Sequence, residues 1–212
     1  MSQANSHYIL MSDIIDSSSK QGDSLMKAFK NVVAHVNREF SKQILSPLTI
    51  TLGDEFQGVV SDLKAAIDII FYLDEEVLDH TPTFSLRHVV NYGFIQTPIN
   101  PTNAHEMLGD GLTQARRVLN QIKSTHADVV IIGLDAEVSH KLKLAFELYR
   151  SLYNDWTKKD RKIAYLFLKH NDYRTVATAY GRDPSSMWRR ERSLKMREFY
   201  SAKKLIEKIA DG

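Results

Sequence analysis

The feature that most constrains the fold is a Gly-Asp pair between two strand-like runs. The turn segment Leu52-Gly53-Asp54-Glu55-Phe56 lies between Leu48-Thr49-Ile50-Thr51 and Gln57-Gly58-Val59-Val60. Gly and Asp tolerate the backbone angles of tight turns, so the pattern predicts a β-hairpin with Asp54 at its tip. A carboxylate on a stiff hairpin tip is either turn chemistry or a ligand for a metal ion, and this stretch alone leaves both interpretations open.

Length and composition bound the class of protein. The chain has 212 residues, 43% hydrophobic and 25% charged, which is typical of one or two globular domains. It has no cysteine, which excludes disulfides, thiolate nucleophiles and cysteine metal sites. The first seven residues lack the features of a signal peptide, and no apolar run is long enough to span a bilayer. We therefore expect a cytoplasmic protein without a membrane partner.

The net charge of +2 hides a division between two parts of the chain. Residues 158–212 contain 15 Lys or Arg against 7 Asp or Glu, whereas residues 1–157 contain 13 against 19. A small basic unit is the usual electrostatic footprint of nucleic-acid binding, although a merely solvated surface has the same composition. An acidic body does not attract phosphate polymers, but it can hold a nucleotide through metal ions.

Strand and helix patterns alternate through the first 135 residues. Strands are predicted at 8–11, 48–51, 57–60, 84–95 and 128–134, and helices at 25–40, 63–79 and 112–123. This order predicts an α+β fold, ferredoxin-like or palm-like, in which an antiparallel sheet carries its helices on one face.

The rest of the chain has helical patterns and no strand signal. A helix is predicted at 136–156, shorter ones at 160–170 and 173–180, and a last long helix from Pro184. Gly181 separates two of them, which indicates a helix-turn-helix. The predicted units are a palm-like domain at 1–135, a helical linker at 136–157 and a small all-α helix-turn-helix domain at 158–212.

The second helix of this motif is rich in side chains that suit DNA. The candidate DNA-binding residues are Ser185, Ser186, Trp188, Arg189, Arg190 and Arg192. Arginine donors fit phosphates and guanine edges, and such units usually work in pairs, so a homodimer is expected. The alternative is a helical element for dimerisation or docking.

Two aspartates are expected to meet at one edge of the sheet. Asp13 follows the first strand, and in a palm-type sheet that strand lies beside the hairpin carrying Asp54. Paired carboxylates at strand ends, with room for substrate phosphates, are what Mg²⁺ or Mn²⁺ requires. The pair therefore predicts a divalent metal site.

Several segments together resemble the SatD family of small bacterial proteins. They are Ser12-Asp13-Ile14-Ile15-Asp16-Ser17-Ser18, Thr49 to Gly58, Arg87 with Tyr92-Gly93-Phe94-Ile95-Gln96-Thr97, and Gly109-Asp110-Gly111 with Ala115-Arg116. That family is similar in pattern to class III nucleotide cyclases and, more distantly, to GGDEF-type diguanylate cyclases. The resemblance covers about residues 8 to 120 and implies a palm domain that binds a nucleotide-like ligand.

The resemblance also implies roles for individual residues. Asp13 and Asp54 would be metal ligands, with the carbonyl of Ile14 as a third. The loop with Asp16, Ser17 and Ser18 would hold phosphate, and Arg87 and Asp110 are further candidate ligand contacts. For Arg87 the alternative is an ion pair with a surface carboxylate, and for Asp110 it is turn chemistry.

The chain departs from the cyclases at two positions. It has Thr49-Ile50-Thr51 where they carry a base-recognising lysine, and Thr113 aligns with their transition-state asparagine. Their arginine corresponds to Arg117 or to Arg116, depending on where the gap is placed. The leading hypothesis is a ligand-responsive DNA-binding regulator. The alternatives are an active nucleotidyl cyclase or nucleotidyltransferase, and a catalytically inactive dimerisation scaffold.

Overall fold

The computed structural model describes residues 6–16, 22–51, 53–125 and 127–212. The strands are β1 Ser6–Ile14, β2 Ile44–Ile50, β3 Glu55–Val60, β4 Leu86–Phe94 and β5 Val129–Ile132. The helices are α1 Gly22–Glu39, α2 Leu63–Glu76, α3 Asp110–Ile122, α4 Ala136–Asn154, α5 Lys158–His170, α6 Tyr173–Tyr180, α7 Pro184–Ser193 and α8 Met196–Ala210. Within the described ranges, no helix is both long enough and apolar enough to cross a membrane.

The five strands form one sheet in the order β2-β3-β1-β4-β5. The first four pair in antiparallel fashion, and β5 lies parallel to β4 at the edge. The α+β class and the helical C-terminal region are confirmed. The sheet is mixed rather than wholly antiparallel, because α3 carries the chain back across the sheet before β5 begins, as a parallel connection requires.

Helices cover both faces of the sheet. Leu10 and Ile14 of β1 pack with α1 and α2, whereas Ile9 and Met11 pack with α3 on the opposite face. The expectation of helices on one face holds for α1 and α2 but not for α3. The physical reason is already in β1, where the run Tyr8-Ile9-Leu10-Met11 is apolar on both sides and needs cover on both.

Glycines let the start of α3 lie directly on the end of β4. A Cβ atom on Gly111 would come within 2.7 Å of the carbonyl carbon of Gly93, and one on Gly109 within 2.6 Å of the Phe94 oxygen. These separations are shorter than real side chains allow, so only glycine fits. The backbones of Gly93 and Gly111 therefore approach closely, and this contact fixes α3 over the sheet.

The predicted hairpin is present. β2 pairs with β3, and Gly53 has φ of +83°, in the left-handed region that glycine adopts without strain. β3 also pairs with β1, which sets Asp13 opposite Glu55, and the amide of Ile14 donates to the carbonyl of Asp54 at 3.0 Å. The hairpin tip is thereby fixed beside the end of β1.

The C-terminal helices include the predicted turn between α6 and α7. Gly181 has φ of +67°, and Asp183 caps α7, whose first residue is Pro184. The prediction of one last long helix is wrong, because the chain breaks at Lys195, whose φ is +54°, and continues as α8.

An aromatic cluster joins the C-terminal helices to the sheet's helical layer. The ring of Tyr149 in α4 lies 5.1 Å from that of Phe71 in α2 and 4.9 Å from that of Phe199 in α8. The same buried core continues from the sheet into α5 to α8. The helices after β5 are therefore held against α2 by packing, and the domain boundaries given above stay a prediction.

Candidate functional site

Asp13 is buried at the end of β1, on the face that α3 covers. Its side chain is only 2% exposed. Oδ2 lies 3.1 Å from Nζ of Lys123, at the end of α3, and 3.4 Å from Nη1 of Arg87, which is opposite on β4. Oδ1 is also buried, and it has no hydrogen-bond partner among the residues that the structure describes. One oxygen of this carboxylate therefore contacts two cations, and the other has no hydrogen-bond donor among the described residues.

The pKa of Asp13 reports the balance of charges around it. Burial raises this pKa, while the hydrogen bond from Lys123 and the charges of Lys123 and Arg87 act in the opposite direction. The carboxylate of Asp54 raises it further, and the amide of Ile14 donates to the Asp54 carbonyl, so the two aspartates lie at the same edge of the sheet. The structure therefore brings together the two carboxylates that the sequence singled out.

Oδ1 and the oxygen atoms near it are suitable ligands for a single hard divalent cation. A buried carboxylate oxygen without a donor is costly, and a second carboxylate lies nearby. Within the described ranges no group of three or more His, Cys, Asp or Glu side chains could hold a metal. An ion at Asp13 and Asp54 would take its remaining ligands from backbone carbonyls such as that of Ile14, from water or from a bound phosphate, as Mg²⁺ commonly does.

A second cluster on the same face joins β3 to α3. Nη2 of Arg116 lies 3.0 Å from Oε1 of the buried Glu55 and donates to Oε1 of Gln57 at 3.1 Å. Arg117, the next residue, is exposed. Of the two candidate arginines, Arg116 is therefore held by the sheet, and Arg117 extends from the surface of α3.

A cavity of about 740 Å³ opens between α3 and the strands β1 and β3. Its apolar wall includes Met11, Met107 and Leu112, and its polar groups include Gln57, Arg116, Arg117 and Asn120. Met11 precedes Asp13 by two residues on the same face of β1, but the residues that line the cavity include neither Asp13 nor Asp54. The volume lies in the range that small-molecule sites occupy.

The remaining candidate ligand contacts are dispersed. Arg87 is buried and pairs with the buried Asp13, so its partner is not a surface carboxylate. Asp16 is exposed with φ of +56°, and Asp110 is exposed in the first turn of α3, beside Arg117. Ser17 and Ser18 lie outside the described residues.

A buried polar network on the opposite face was missed by sequence reasoning. The Ser12 hydroxyl lies 2.7 Å from Nδ1 of His88, and Nε2 of His88 lies 3.3 Å from Oδ1 of Asp74. Nη1 of Arg150, in α4, donates to both Asp74 oxygens at 2.7 and 2.8 Å. The Ser-His-Asp order resembles a hydrolase triad, but Ser12, His88 and Asp74 are fully buried, so the network supports structure.

The pKa values in this network follow from its pairing. Burial alone would raise the pKa of Asp74, but Arg150 and His88 outweigh burial and lower it. Burial also raises the pKa of Tyr149, whose hydroxyl donates to Asp74 at 3.2 Å. Asp74 is therefore a buried carboxylate that stays ionised. Its position in a helix of apolar residues gave no signal that it has partners on β4 and α4.

The candidate DNA-binding residues of α7 fall into two groups. Those with exposed side chains are Ser185, Trp188, Arg189 and Arg192. The Arg192 guanidinium lies over the Trp188 ring at 4.9 Å, and that ring is 45% exposed. By contrast, Arg190 is ion-paired with Asp160 of α5, and the Ser186 hydroxyl donates to the Asp183 carbonyl.

Comparisons with known proteins were made for sequence and for structure. The sequence matches the model of the SatD family over residues 8–208. A search of curated proteins found no significant match. Among solved structures, the fold is similar to a bacterial light-regulated adenylyl cyclase, with a TM-score of 0.46 and 15% sequence identity. That alignment covers 59% of this chain and 42% of the length of the cyclase chain.

Proposed function

The chain belongs to the SatD family, and with the geometry at Asp13 as the main observation we propose that it is a ligand-responsive DNA-binding regulator. Its palm domain binds one Mg²⁺ or Mn²⁺ ion and a nucleotide-like ligand. The observation that carries this is the buried Oδ1 of Asp13, which lacks a hydrogen-bond partner among the described residues and lies near Asp54. Metal coordination satisfies such an oxygen, and the bound ion adds positive charge for phosphate.

The cavity between α3 and the strands β1 and β3 supports a flat heteroaromatic ligand with an anionic group. Methionine and leucine side chains form its apolar wall, while the exposed Asn120 offers an amide group. Arg117 lines the same cavity and is exposed, so its guanidinium is available to a phosphate. Arg116 is already paired with Glu55, so its role is to hold α3 against β3.

Two sets of contacts support communication between the palm and the C-terminal helices. Ser12 is next to Asp13 and leads through His88 and Asp74 to Arg150 of α4. On the other side, Ile15 donates to the Ser85 carbonyl, and Arg161 of α5 donates to the Ser85 hydroxyl at 3.1 Å. A shift at the end of β1 would therefore reach both α4 and α5.

The surface of α7 supports the DNA-binding part. Trp188, Arg189 and Arg192 are exposed on a helix that follows a tight turn, which is the placement of a recognition helix. These side chains suit phosphates and base edges. One such unit buries little surface, so the protein would bind DNA as a homodimer.

Metal and ligand binding are tested by calorimetry. Wild-type protein is titrated with Mn²⁺, then with nucleoside triphosphates in its presence, beside Asp13→Asn and Asp54→Asn variants. The expected result is saturable Mn²⁺ binding that both substitutions weaken at least about tenfold, as loss of a charged ligand should. Asp68→Asn, on the surface of α2, is the matched control and should bind as wild type does. Equal binding by all four proteins would contradict the proposal.

DNA binding is tested by fluorescence anisotropy with a labelled duplex at several salt concentrations. Arg189→Ala and Arg192→Ala should each weaken binding and lower the salt dependence by about one unit of slope. Arg38→Ala in α1 is the control. Salt-independent binding, or binding that both α7 substitutions leave unchanged, would count against a DNA-binding role. Repeating the titration with Mn²⁺ and nucleotide tests whether the ligand changes affinity.

A nucleotidyl cyclase or nucleotidyltransferase is the second candidate, because Arg117 is exposed and lines the cavity on the face of the sheet that carries Asp13. Asp13 and Asp54 would hold the ion, and Arg117 would neutralise charge that develops on the phosphates. Incubation with each nucleoside triphosphate and Mn²⁺ should then release pyrophosphate in a way that depends on Asp54. If no nucleotide or metal raises the melting temperature, the inactive dimerisation scaffold is favoured instead.

A further inference from the structure

Lys123 takes a position that bears directly on the proposed metal site. It is the residue at which α3 ends, and its ammonium lies 3.1 Å from Oδ2 of Asp13. The Lys123 side chain is 44% exposed, whereas the Asp13 side chain is 2% exposed. The lysine can therefore leave for water by rotating its flexible stem, and the aspartate cannot.

We infer that Lys123 is a built-in competitor for the divalent ion, so that metal binds at Asp13 only as Lys123 moves away. This inference rests on the proposed function. A divalent ion on Oδ1 and an ammonium on Oδ2 would share one carboxylate in a site from which water is largely excluded, and their charges repel. Arg87 also contacts Oδ2, but it lies on β4 and is nearly buried, so it has less freedom to leave.

Because of this competition, the site should respond differently to monovalent and divalent cations. Exchanging an ammonium for a monovalent ion leaves the charge beside Asp13 unchanged, whereas a divalent ion adds one positive charge near two carboxylates. The exchange would also release the end of α3 from β1, because the Lys123 side chain is part of what ties them. Divalent metal is thus expected to loosen the segment that leads from α3 to β5.

The first test compares Mn²⁺ affinity by calorimetry. Lys123→Met removes the charge and keeps the length of the side chain, and it should bind Mn²⁺ at least about tenfold more tightly than wild type. Lys123→Arg retains the charge and should stay within about threefold of wild type, since the Coulomb repulsion is kept. Lys64→Met, which removes an exposed lysine from α2, is the control for loss of a surface charge. Melting curves check that each variant folds.

The second test follows the Lys123 amine itself. Wild-type protein is treated briefly with an amine-acetylating reagent, with and without Mn²⁺, and the Lys123 peptide is quantified by mass spectrometry against that of Lys64. Mn²⁺ should increase acetylation of Lys123 severalfold and leave Lys64 unchanged. Mg²⁺ should act in the same direction, and K⁺ at equal ionic strength should have no effect.

The outcomes separate this inference from the proposed function. If Asp13→Asn abolishes Mn²⁺ binding but Lys123→Met leaves the affinity unchanged, the inference is wrong and the metal site stands. Unaltered acetylation of Lys123 on Mn²⁺ binding would also overturn it. If neither wild type nor Lys123→Met binds Mn²⁺, both are wrong. Tighter binding by Lys123→Met, together with Mn²⁺-dependent acetylation, supports both.

Discussion

Replacing Arg150 by methionine should destabilise the protein by about 4 kcal/mol. The guanidinium donates to both oxygens of Asp74 and, at 2.8 Å, to the Leu86 carbonyl, and all of these contacts are buried. Removing one partner of a buried ion pair costs about 3–5 kcal/mol, because it leaves an uncompensated charge. The lost bond to Leu86 adds about 1 kcal/mol, and the methionine side chain recovers part of the packing.

The assay is urea unfolding, monitored through tryptophan fluorescence. Trp156 is buried against Tyr153 and Phe199, so its emission reports the region that Arg150 holds. A thermal melt is the second measurement: for a chain of this length about 2–4 °C of melting temperature accompanies each kcal/mol, so the melting temperature should fall by about 12 °C.

A double-mutant cycle refines the test. Asp74→Asn and Arg150→Met should each destabilise the protein. The double variant should lose less than the sum by about 2 kcal/mol, since it contains neither charge of the Asp74–Arg150 pair. Strict additivity, or a loss below about 1 kcal/mol for Arg150→Met, would refute the reasoning because it would mean that the pair is not desolvated.

The contribution of Asp74 to the pH dependence of stability should change sign in the Arg150→Met variant. In wild type the pKa of Asp74 is lowered despite burial, so the stability it contributes is present above its ordinary value of 3.8 and is lost as pH falls through the folded pKa. Without Arg150, burial should raise the pKa of Asp74, and acidification should relieve part of the penalty. The difference in unfolding free energy between variant and wild type should therefore narrow as pH falls. His88 and Tyr149 still face the carboxylate in the variant.

Four further substitutions test local geometry. Gly111→Ala should destabilise by about 1–3 kcal/mol, seen in thermal melts, because its Cβ would meet the β4 backbone. Arg116→Met should destabilise by about 2 kcal/mol because it leaves Glu55 buried without its cation, whereas Arg117→Met should leave stability unchanged within about 0.5 kcal/mol in the same urea assay. Arg190→Ala should lower the melting temperature and have little effect on the salt slope of DNA binding, since this side chain already pairs within the protein.

Local patterns predicted the elements well. Gly53 is found at the positive φ that a hairpin turn favours, and Gly181 at the positive φ of a helix end. These predictions succeed because turn angles and side-chain periodicity are decided within a few residues. The break at Lys195 was missed because lysine is a good helix former and gives no signal of a left-handed conformation.

The two arginines of α3 show where such reasoning stops. Arg116 and Arg117 are adjacent and chemically identical, and the pattern of α3 alone does not choose between them. A rotation of about 100° per residue sends one side chain to Glu55 on the sheet and the other to the surface. Which of them meets the sheet depends on how the helix is placed, and the glycines at its start determine that placement.

The sequence by itself determined the order of strands and helices, the hairpin that carries Asp54, and the nearness of Asp13 to it, since β1 pairs with β3 in the expected way. Only the tertiary structure decided which cations surround Asp13. Lys123 and Arg87 lie more than seventy positions away in the chain and reach it from a helix end and a neighbouring strand. Ion pairs depend on distances in space, and no local pattern records those distances.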